Sequence, residues 1–286
     1  MKSCINTAFL ERERMKKIRL IASDLDGTLL NQEKMISDQN KKAIHQCKER
    51  GILFGIATGR PADTTKEMVI RWGIEKDIDF IMGMNGGVIY DYKRNQSDLY
   101  YPLEGKTIQE IIRFFDGYDV IFHVKIGTKR YTNVSSEKTK KEALRVGEEE
   151  VYTDLIPFLE GKKVSKLNVI SKPAYQATVI KRAQEFMATH SNVTGFPTQA
   201  DIFEFVDYRI NKGFGLEKVA EHFRIPIEET LAFGDAENDV CLIQKAGIGV
   251  CMQNGAQKTK AVADYITEKN HQEDAVAWYL KENILK

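Results

Sequence analysis

The stretch Ile21-Ala-Ser-Asp-Leu-Asp-Gly-Thr-Leu-Leu30, IASDLDGTLL, decides how the rest of the chain is read. A short apolar run, Ile18 to Ala22, ends in two carboxylates two positions apart. Residues i and i+2 of a strand face the same side, so Asp24 and Asp26 both reach toward the crevice where an open α/β sheet binds ligands. Two unit charges ~6 Å apart repel by roughly 3 kcal/mol at an effective dielectric near 20. A cation, a proton or a basic side chain has to offset that. Asp26-Gly27 is also a strong turn pair, and a strand simply running into a turn is the alternative reading of this segment.

Working outward, Ser37 can cap a helix whose Ala43, Ile44 and Cys47 share one face, with Gly51 at its end. Ile52 to Ala57 reads as a second buried strand, and Pro61 suits the first turn of the next helix. Phe80 to Met84 is a third strand, followed by Asn85-Gly-Gly87. The far end repeats this order: a helix from about Phe214, a strand Thr230 to Phe233, a helix Glu237 to Ala246 and a strand Ile248 to Met252. Such alternation predicts an α/β fold with a Rossmann-like doubly wound parallel sheet as its core. Between about Val88 and Glu204 the strands come in adjacent pairs, Gly87 to Tyr92 with Leu99 to Leu103 and Val120 to Lys125 with Arg130 to Val134. Helical patterns interrupt them at Thr107 to Phe115, Glu137 to Glu149 and Ala174 to Thr189. Paired strands favour an antiparallel or mixed sheet with helices on one side, an inserted α+β cap domain over residues 88–204 between core segments 15–87 and 205–286. Met15 resembles a fresh start, which makes residues 1–14 an N-terminal extension expected to be poorly ordered.

Composition excludes several classes of partner. The 42 basic and 41 acidic residues among 286 leave a net charge of +1, so no global field attracts nucleic acid or an anionic membrane. No apolar run approaches the ~20 residues a bilayer span requires, and the opening MKSCINTAFLERER has too short an apolar centre for a secretory signal. A cytoplasmic location is the expectation. Cys4, Cys47, Cys241 and Cys251 are scattered without a Cys-x-x-Cys pair, and read as reduced thiols, mostly core.

Other strand ends add to the first. LAFGDAEND, Leu231 to Asp239, again places carboxylates directly after a buried strand, so Asp235 and Asp239 point to the same crevice. Clustered carboxylates with few histidines or cysteines nearby make a hard oxygen site, for which magnesium is the natural ion. By itself Asp235 would read as a helix N-cap. In Ile56-Ala-Thr-Gly-Arg-Pro61 a hydroxyl and a glycine precede a helix N-terminus, so Thr58 and Gly59 are candidate phosphate ligands, with a plain cap as the alternative. Lys212, at the start of a further helix, can neutralise Asp24 and a phosphate together.

The ordered set DLDGTLL at 24–30, ATGRP at 57–61, NGG at 85–87, NKG at 211–213, GDAEND at 234–239 and CMQNG at 251–255 resembles the haloacid dehalogenase superfamily, in particular its Cof-type sugar-phosphatase branch. Leu242 stands where the family often has methionine, and Gln253-Asn-Gly replaces the usual Gly-Asn-Ala. The resemblance implies Asp24 as a nucleophile that forms an aspartyl-phosphate while also binding the metal. It implies Asp26 as a metal ligand through its backbone carbonyl and as the acid and base through its side chain. Asp235 would complete the metal ligands, with Asp239 behind them. Leu25 through its N–H, Thr58, Gly59, Lys212 and Asn238 would hold the phosphoryl oxygens. His45, His123, His190, His222 and His271 then have no part in the chemistry and read as packing or surface residues.

The function this predicts is a magnesium-dependent phosphatase for a small phosphorylated substrate, a sugar phosphate or a phosphorylated cofactor, with the cap choosing the substrate. A phosphomutase of the same superfamily and a receiver-like phosphoaspartate signalling module are the alternatives. Against the signalling module, a stable phosphoaspartate has no use for an acid at Asp26. In the cap, Lys138 to Glu142 and Gly161 to Lys166 read as solvated basic faces, with contact to an anionic leaving group as the alternative, and Glu204 reads as a hinge or surface glutamate, with a hydrogen bond to a sugar hydroxyl as the alternative. Nothing in the sequence fixes an oligomeric state.

Overall fold

The computed structural model describes residue 15, residues 17–145 and residues 147–286. The predicted extension, residues 1–14, and Cys4 within it lie outside the described residues. The chain divides into two compact units, one made of the described residues up to Asp98 with Asn211–Lys286, the other of Leu99–Ile210.

In the first unit an eight-stranded sheet runs, edge to edge, Tyr265–Ile266, Ile248–Cys251, Thr230–Gly234, Leu20–Ser23, Leu53–Ala57, Phe80–Gly83, Val88–Asp91 and Gln96–Leu99. From Tyr265–Ile266 to Phe80–Gly83 all pairs are parallel. Leu20–Ser23 is fully buried because both neighbours and both faces are covered, which is why it reads as an unbroken apolar run. It is flanked by Leu53–Ala57 on one side and Thr230–Gly234 on the other, so the strand order reverses there and its carboxyl end opens at the switch point of the sheet. Ser37 caps the helix Asp38–Glu49 by accepting from the Asn40 N–H. Ala62–Trp72 ends on Gly73 in the left-handed region, and Lys212–Phe223 is capped by the Asn211 side chain. Phe54, Ile56, Ile81, Leu231, Phe233 and Val250 are among the residues of this unit's core.

The second unit carries a six-stranded sheet in the order Val193–Gln199, Ile202–Asp207, Leu167–Ile170, Ile121–Ile126, Lys129–Thr132 and Glu149–Tyr152. All its pairs are antiparallel except the last. Phe122, Val124, Leu167, Val169, Phe203 and Phe205 meet helices Gly105–Phe114 and Gln176–Met187 in a separate apolar core.

The insertion therefore spans 99–210, not 88–204. At the first border, Val88–Asp91 pairs antiparallel with Phe80–Gly83, and Gln96–Leu99 continues the same sheet beyond it, so this hairpin extends the core. The expected partner, Leu99 to Leu103, does not form that pair. At the second border Ile202–Asp207 lies inside the second sheet, between two other strands, and Glu204 is mid-strand rather than near a return. Contrary to its reading as a hinge or surface residue, and to that of Gly161 to Lys166 as a solvated face, Glu204 is buried and its Oε1 accepts from the buried Lys166 Nζ at 2.5 Å. Alternation alone cannot assign a hairpin to one sheet or another, since hydrogen-bond partners distant in sequence decide it. Among the described residues no helix is long and apolar enough to cross a membrane. Cys47 and Cys251 are buried and Cys241 is exposed, all as free thiols.

Candidate active site

The end of Leu20–Ser23 is shaped by a tight turn. The N–H groups of Thr28, Leu29 and Leu30 all donate to the Leu25 carbonyl. Gly27 turns at φ +86°, and a Cβ there would meet an Asp235 oxygen at 2.3 Å, so only glycine lets this turn lie against Asp235. Thr28 Oγ1 donates to Asp235 Oδ1 at 2.8 Å. Two strand ends separated by more than 200 residues are thus joined at the site.

Asp24 is buried, and Lys212 Nζ donates to its Oδ1 at 2.6 Å and to Asp239 Oδ1 at 2.5 Å. The other Asp239 oxygen accepts the N–H groups of Asp235 and Ala236, both at 3.0 Å. Asp239 is therefore committed on both oxygens to holding Lys212 and the Asp235 loop. Ligand oxygens of Asp24, Asp235 and Asp239 lie within 4.8 Å of one another. Burial raises the Asp24 carboxyl to about 7, with Asp239 and Asp235 adding to the rise and Lys212 opposing it. Burial likewise raises Asp235 to about 6, against the Thr28 hydrogen bond and with repulsion from Asp239. Lys212 is held charged: burial acts against it, and the two carboxylates outweigh burial. Hard oxygen donors with more negative charge than one lysine offsets suit a divalent cation, with Asp24 and Asp235 as the carboxylates not already committed.

The charge excess gives an expected result. Asp235 protonates near pH 6 in the folded, metal-free protein but near 4 when unfolded, so its penalty is absent below pH 4 and complete above about pH 6. Asp235→Asn keeps the oxygen that Thr28 needs and removes the charge. Without metal, the variant should be more stable than the parent by about 1–2 kcal/mol above pH 6 after solvent screening, and equal to it below pH 4. Thermal melts in chelator across that range check it. A parent at least as stable as the variant at pH 8 contradicts the assignment.

Asp26 is exposed, and its two oxygens are both engaged. Lys34 Nζ donates to Oδ1 and the Arg60 guanidinium to Oδ2, each at 2.7 Å. Burial alone would raise this carboxyl; Arg60 and Lys34 reverse that and hold it below the ordinary carboxylate range. The Trp72 indole N–H donates to the Lys34 carbonyl at 3.1 Å, fixing the loop that presents Lys34. Asp26 is thus an ionised, doubly paired carboxylate here, and acting as an acid requires it to exchange one of those partners.

On the anion side, Thr58 is buried, its N–H donates to the Met82 carbonyl, and its hydroxyl accepts the Arg60 N–H. Gly59 lies against Asn85, whose Oδ1 would be 3.2 Å from a Cβ at that position, and Asn238 Nδ2 donates to the same oxygen at 3.4 Å. Asn85 takes a left-handed conformation, φ +54°, in the NGG loop. Gly86 follows at φ +97°, where a Cβ would strike the Asn211 carbonyl at 2.6 Å. The structure thus gathers Asp24, Asp235, Asp239 and Lys212 into one cluster and links Gly59 to Asn238 through Asn85. Four contributors had no role assigned from sequence: Thr28, Lys34, Arg60 and Asn85. Arg60, Thr28 and Asn85 stand inside the quoted motifs, so their signal was present; Lys34 has none, being an ordinary surface lysine until the turn is built.

The sequence model of the haloacid dehalogenase-like hydrolases matches residues 21–280. The chain belongs to that family. A Bacillus subtilis relative named 5-amino-6-(5-phospho-D-ribitylamino)uracil phosphatase YcsE is 30% identical over 94% of this chain and 96% of its own. A solved haloacid dehalogenase-like hydrolase from Bacteroides thetaiotaomicron is 26% identical, covers 93% of this chain and 99% of its own, and superposes with a TM-score of 0.82. A solved sugar phosphatase of subclass IIB, at 20% identity and TM-score 0.78, covers 94% of this chain and shares the fold. The hydrolase is a phosphoric monoester hydrolase, as the family and its named phosphatases establish.

Proposed function

We propose that the protein is a magnesium-dependent phosphatase that hydrolyses small phosphate monoesters of the sugar-phosphate class through a phosphoryl group carried on Asp24. The observation that supports this most is the buried Asp24–Lys212–Asp239 array beside Asp235. An Asp24 oxygen attacks phosphorus, the bond from phosphorus to the ester oxygen breaks, and the leaving alkoxide takes a proton. Water then attacks the acyl phosphate, releasing inorganic phosphate and restoring the carboxylate. Lys212 favours the ionised form of Asp24 against burial, holds one of its oxygens, and sits where it can offset phosphoryl charge. Thr58, Gly59, Asn238 and the Leu25 N–H supply donors to the phosphoryl oxygens, so the group is oriented before it reacts. Asp26 exchanges protons with the leaving oxygen and the water once released from Arg60 or Lys34. Magnesium bound by Asp24 and Asp235, with the Asp26 carbonyl, would supply the remaining charge compensation. The second unit is assigned the choice of substrate.

A panel of phosphate monoesters tests the proposal. Turnover is expected to release free phosphate, to stop in excess chelator and to return with magnesium. Full activity in chelator overturns the metal assignment, and phosphate returned to substrate without release would favour a mutase.

A further inference from the structure

The loop Met84-Asn85-Gly86, directly after strand Phe80–Gly83, holds two successive residues other than glycine in the left-handed region, Met84 at φ +51° and Asn85 at φ +54°. Side chains disfavour that conformation, and such residues persist only where the surroundings over-determine them. Here backbone hydrogen bonds supply the constraint. The Met84 N–H donates to the Arg60 carbonyl at 2.9 Å and the Asn85 N–H to the Thr58 carbonyl at 3.0 Å, while the Thr58 N–H donates to the Met82 carbonyl at 2.8 Å. On its other side Gly86 is wedged against the Asn211 carbonyl and Gly215, at the first turn of the helix Lys212–Phe223. The loop is therefore clamped between the segments that carry Thr58 with Gly59 and Lys212.

That clamp delivers one side chain. Asn85 is buried, with 2% of its surface exposed, and its carboxamide lies against Gly59, where a Cβ would come within 3.2 Å of Oδ1. The same oxygen accepts from Asn238 Nδ2 at 3.4 Å. Asn238 is exposed, in the turn Glu237–Asp239 that enters the helix Val240–Lys245. An exposed asparagine rotates, and the two ends of its amide are chemically opposite: the nitrogen donates and the oxygen only accepts. An ionised phosphoryl oxygen also only accepts, so it gains from this amide in one of the two orientations and is repelled in the other. Asn85 Oδ1, an acceptor itself, meets the nitrogen end alone. It takes one amide hydrogen of Asn238 and leaves the second for the phosphoryl group. The bond is long, as catalytic hydrogen bonds are before substrate engages them, and engagement of the second hydrogen polarises and tightens it.

We propose that Asn85 is a positioning residue of the phosphoryl site, fixing the Asn238 amide with its nitrogen toward the phosphoryl group, and that the left-handed turn at Met84-Asn85 is what carries it there. This rests on the phosphatase reading above.

In the full-length enzyme Asn85→Gly removes the carboxamide and suits the same backbone, since glycine adopts positive φ freely. Every monoester presents the same phosphoryl group, so kcat/KM should fall about 10- to 100-fold for sorbitol 6-phosphate and p-nitrophenyl phosphate alike. The dissociation constant of inorganic phosphate, read by calorimetry without turnover, should rise about 10-fold. Asn238→Ala should do at least as much. The deciding measurement is the pair: where Asn85 acts through Asn238, the double variant stays within about 2-fold of Asn238→Ala, whereas a merely structural residue multiplies the two losses. Multiplied losses, or an Asn85→Gly enzyme within about 2-fold of the parent, overturn the proposal. Asn85→Asp keeps the shape and tolerates the same backbone, and serves if the glycine variant does not melt cooperatively. Its carboxylate, placed beside the phosphoryl site, should weaken phosphate binding about 10-fold or more; unchanged binding overturns the proposal as well. Coupled loss of phosphate binding in a protein that hydrolyses no monoester would uphold the positioning role and refute the phosphatase reading. Hydrolysis by the parent with uncoupled variants would refute the role alone.

Discussion

Asp24→Asn is expected to abolish phosphoenzyme formation with every substrate and to lower kcat by about 10⁴-fold or more, the scale seen when a nucleophile is removed from a coupled catalytic set. The amide retains the hydrogen-bonding shape that Lys212 and the turn require, so the protein should fold and melt near the parent temperature. Asp26→Asn should behave differently. It leaves Asp24 and Lys212 untouched and removes a proton carrier whose contribution is typically 10²- to 10⁴-fold. For a sugar phosphate, whose alkoxide needs a proton, formation of the phosphoenzyme slows; for nitrophenyl phosphate it proceeds, and the phosphoenzyme accumulates because hydrolysis lacks its base. Rapid-quench labelling with both esters distinguishes the two variants. Phosphoenzyme in Asp24→Asn, or equal inhibition with both esters in Asp26→Asn, would contradict the division of labour.

Lys212→Met is expected to be the most damaging substitution for stability in the active site. Lys212 is fully buried between Asp24 and Asp239, and removing it leaves two carboxylates facing each other without their shared cation. Breaking a buried pair in this way costs ~3–5 kcal/mol, which for a chain of this size lowers the melting temperature by roughly 5–8 °C. The loss should grow with pH. Asp24, whose carboxyl burial already raises to about 7 against the pull of Lys212 and which rises further without that lysine, can take up a proton at low pH and relieve the repulsion, whereas its ionisation at higher pH leaves the charge without an offset. Adding Asp239→Asn to Lys212→Met should recover part of the loss. A shift of less than about 2 °C at pH 8, or one independent of pH between 5 and 8, would mean that Lys212 is not the counter-charge of this cluster.

The sequence by itself determined the elements on which the site stands. Short apolar runs ending in Asp24, Thr58 and Asp235, alternating with helical patterns, identify parallel strands buried on both faces, because helices then cover both sides of the sheet, and the order of strands and helices places their carboxyl ends along one edge. The cap at Ser37 is a local hydrogen bond within three residues, so it too was legible. Only the tertiary structure decided what depends on partners distant in the chain. The hairpin Val88–Leu99 belongs to the core because Val88–Asp91 pairs with Phe80–Gly83, a choice that alternation cannot express. Asp26 is held by Lys34 and Arg60 because the turn after Leu25 and the loop beneath Trp72 bring them together. Asn85 and Asn238 become neighbours only when the loops after Phe80–Gly83 and Thr230–Gly234 meet at one edge of the sheet. Charge pairing and desolvation are properties of neighbours in space, and a one-dimensional pattern carries them only where the neighbours are also close along the chain.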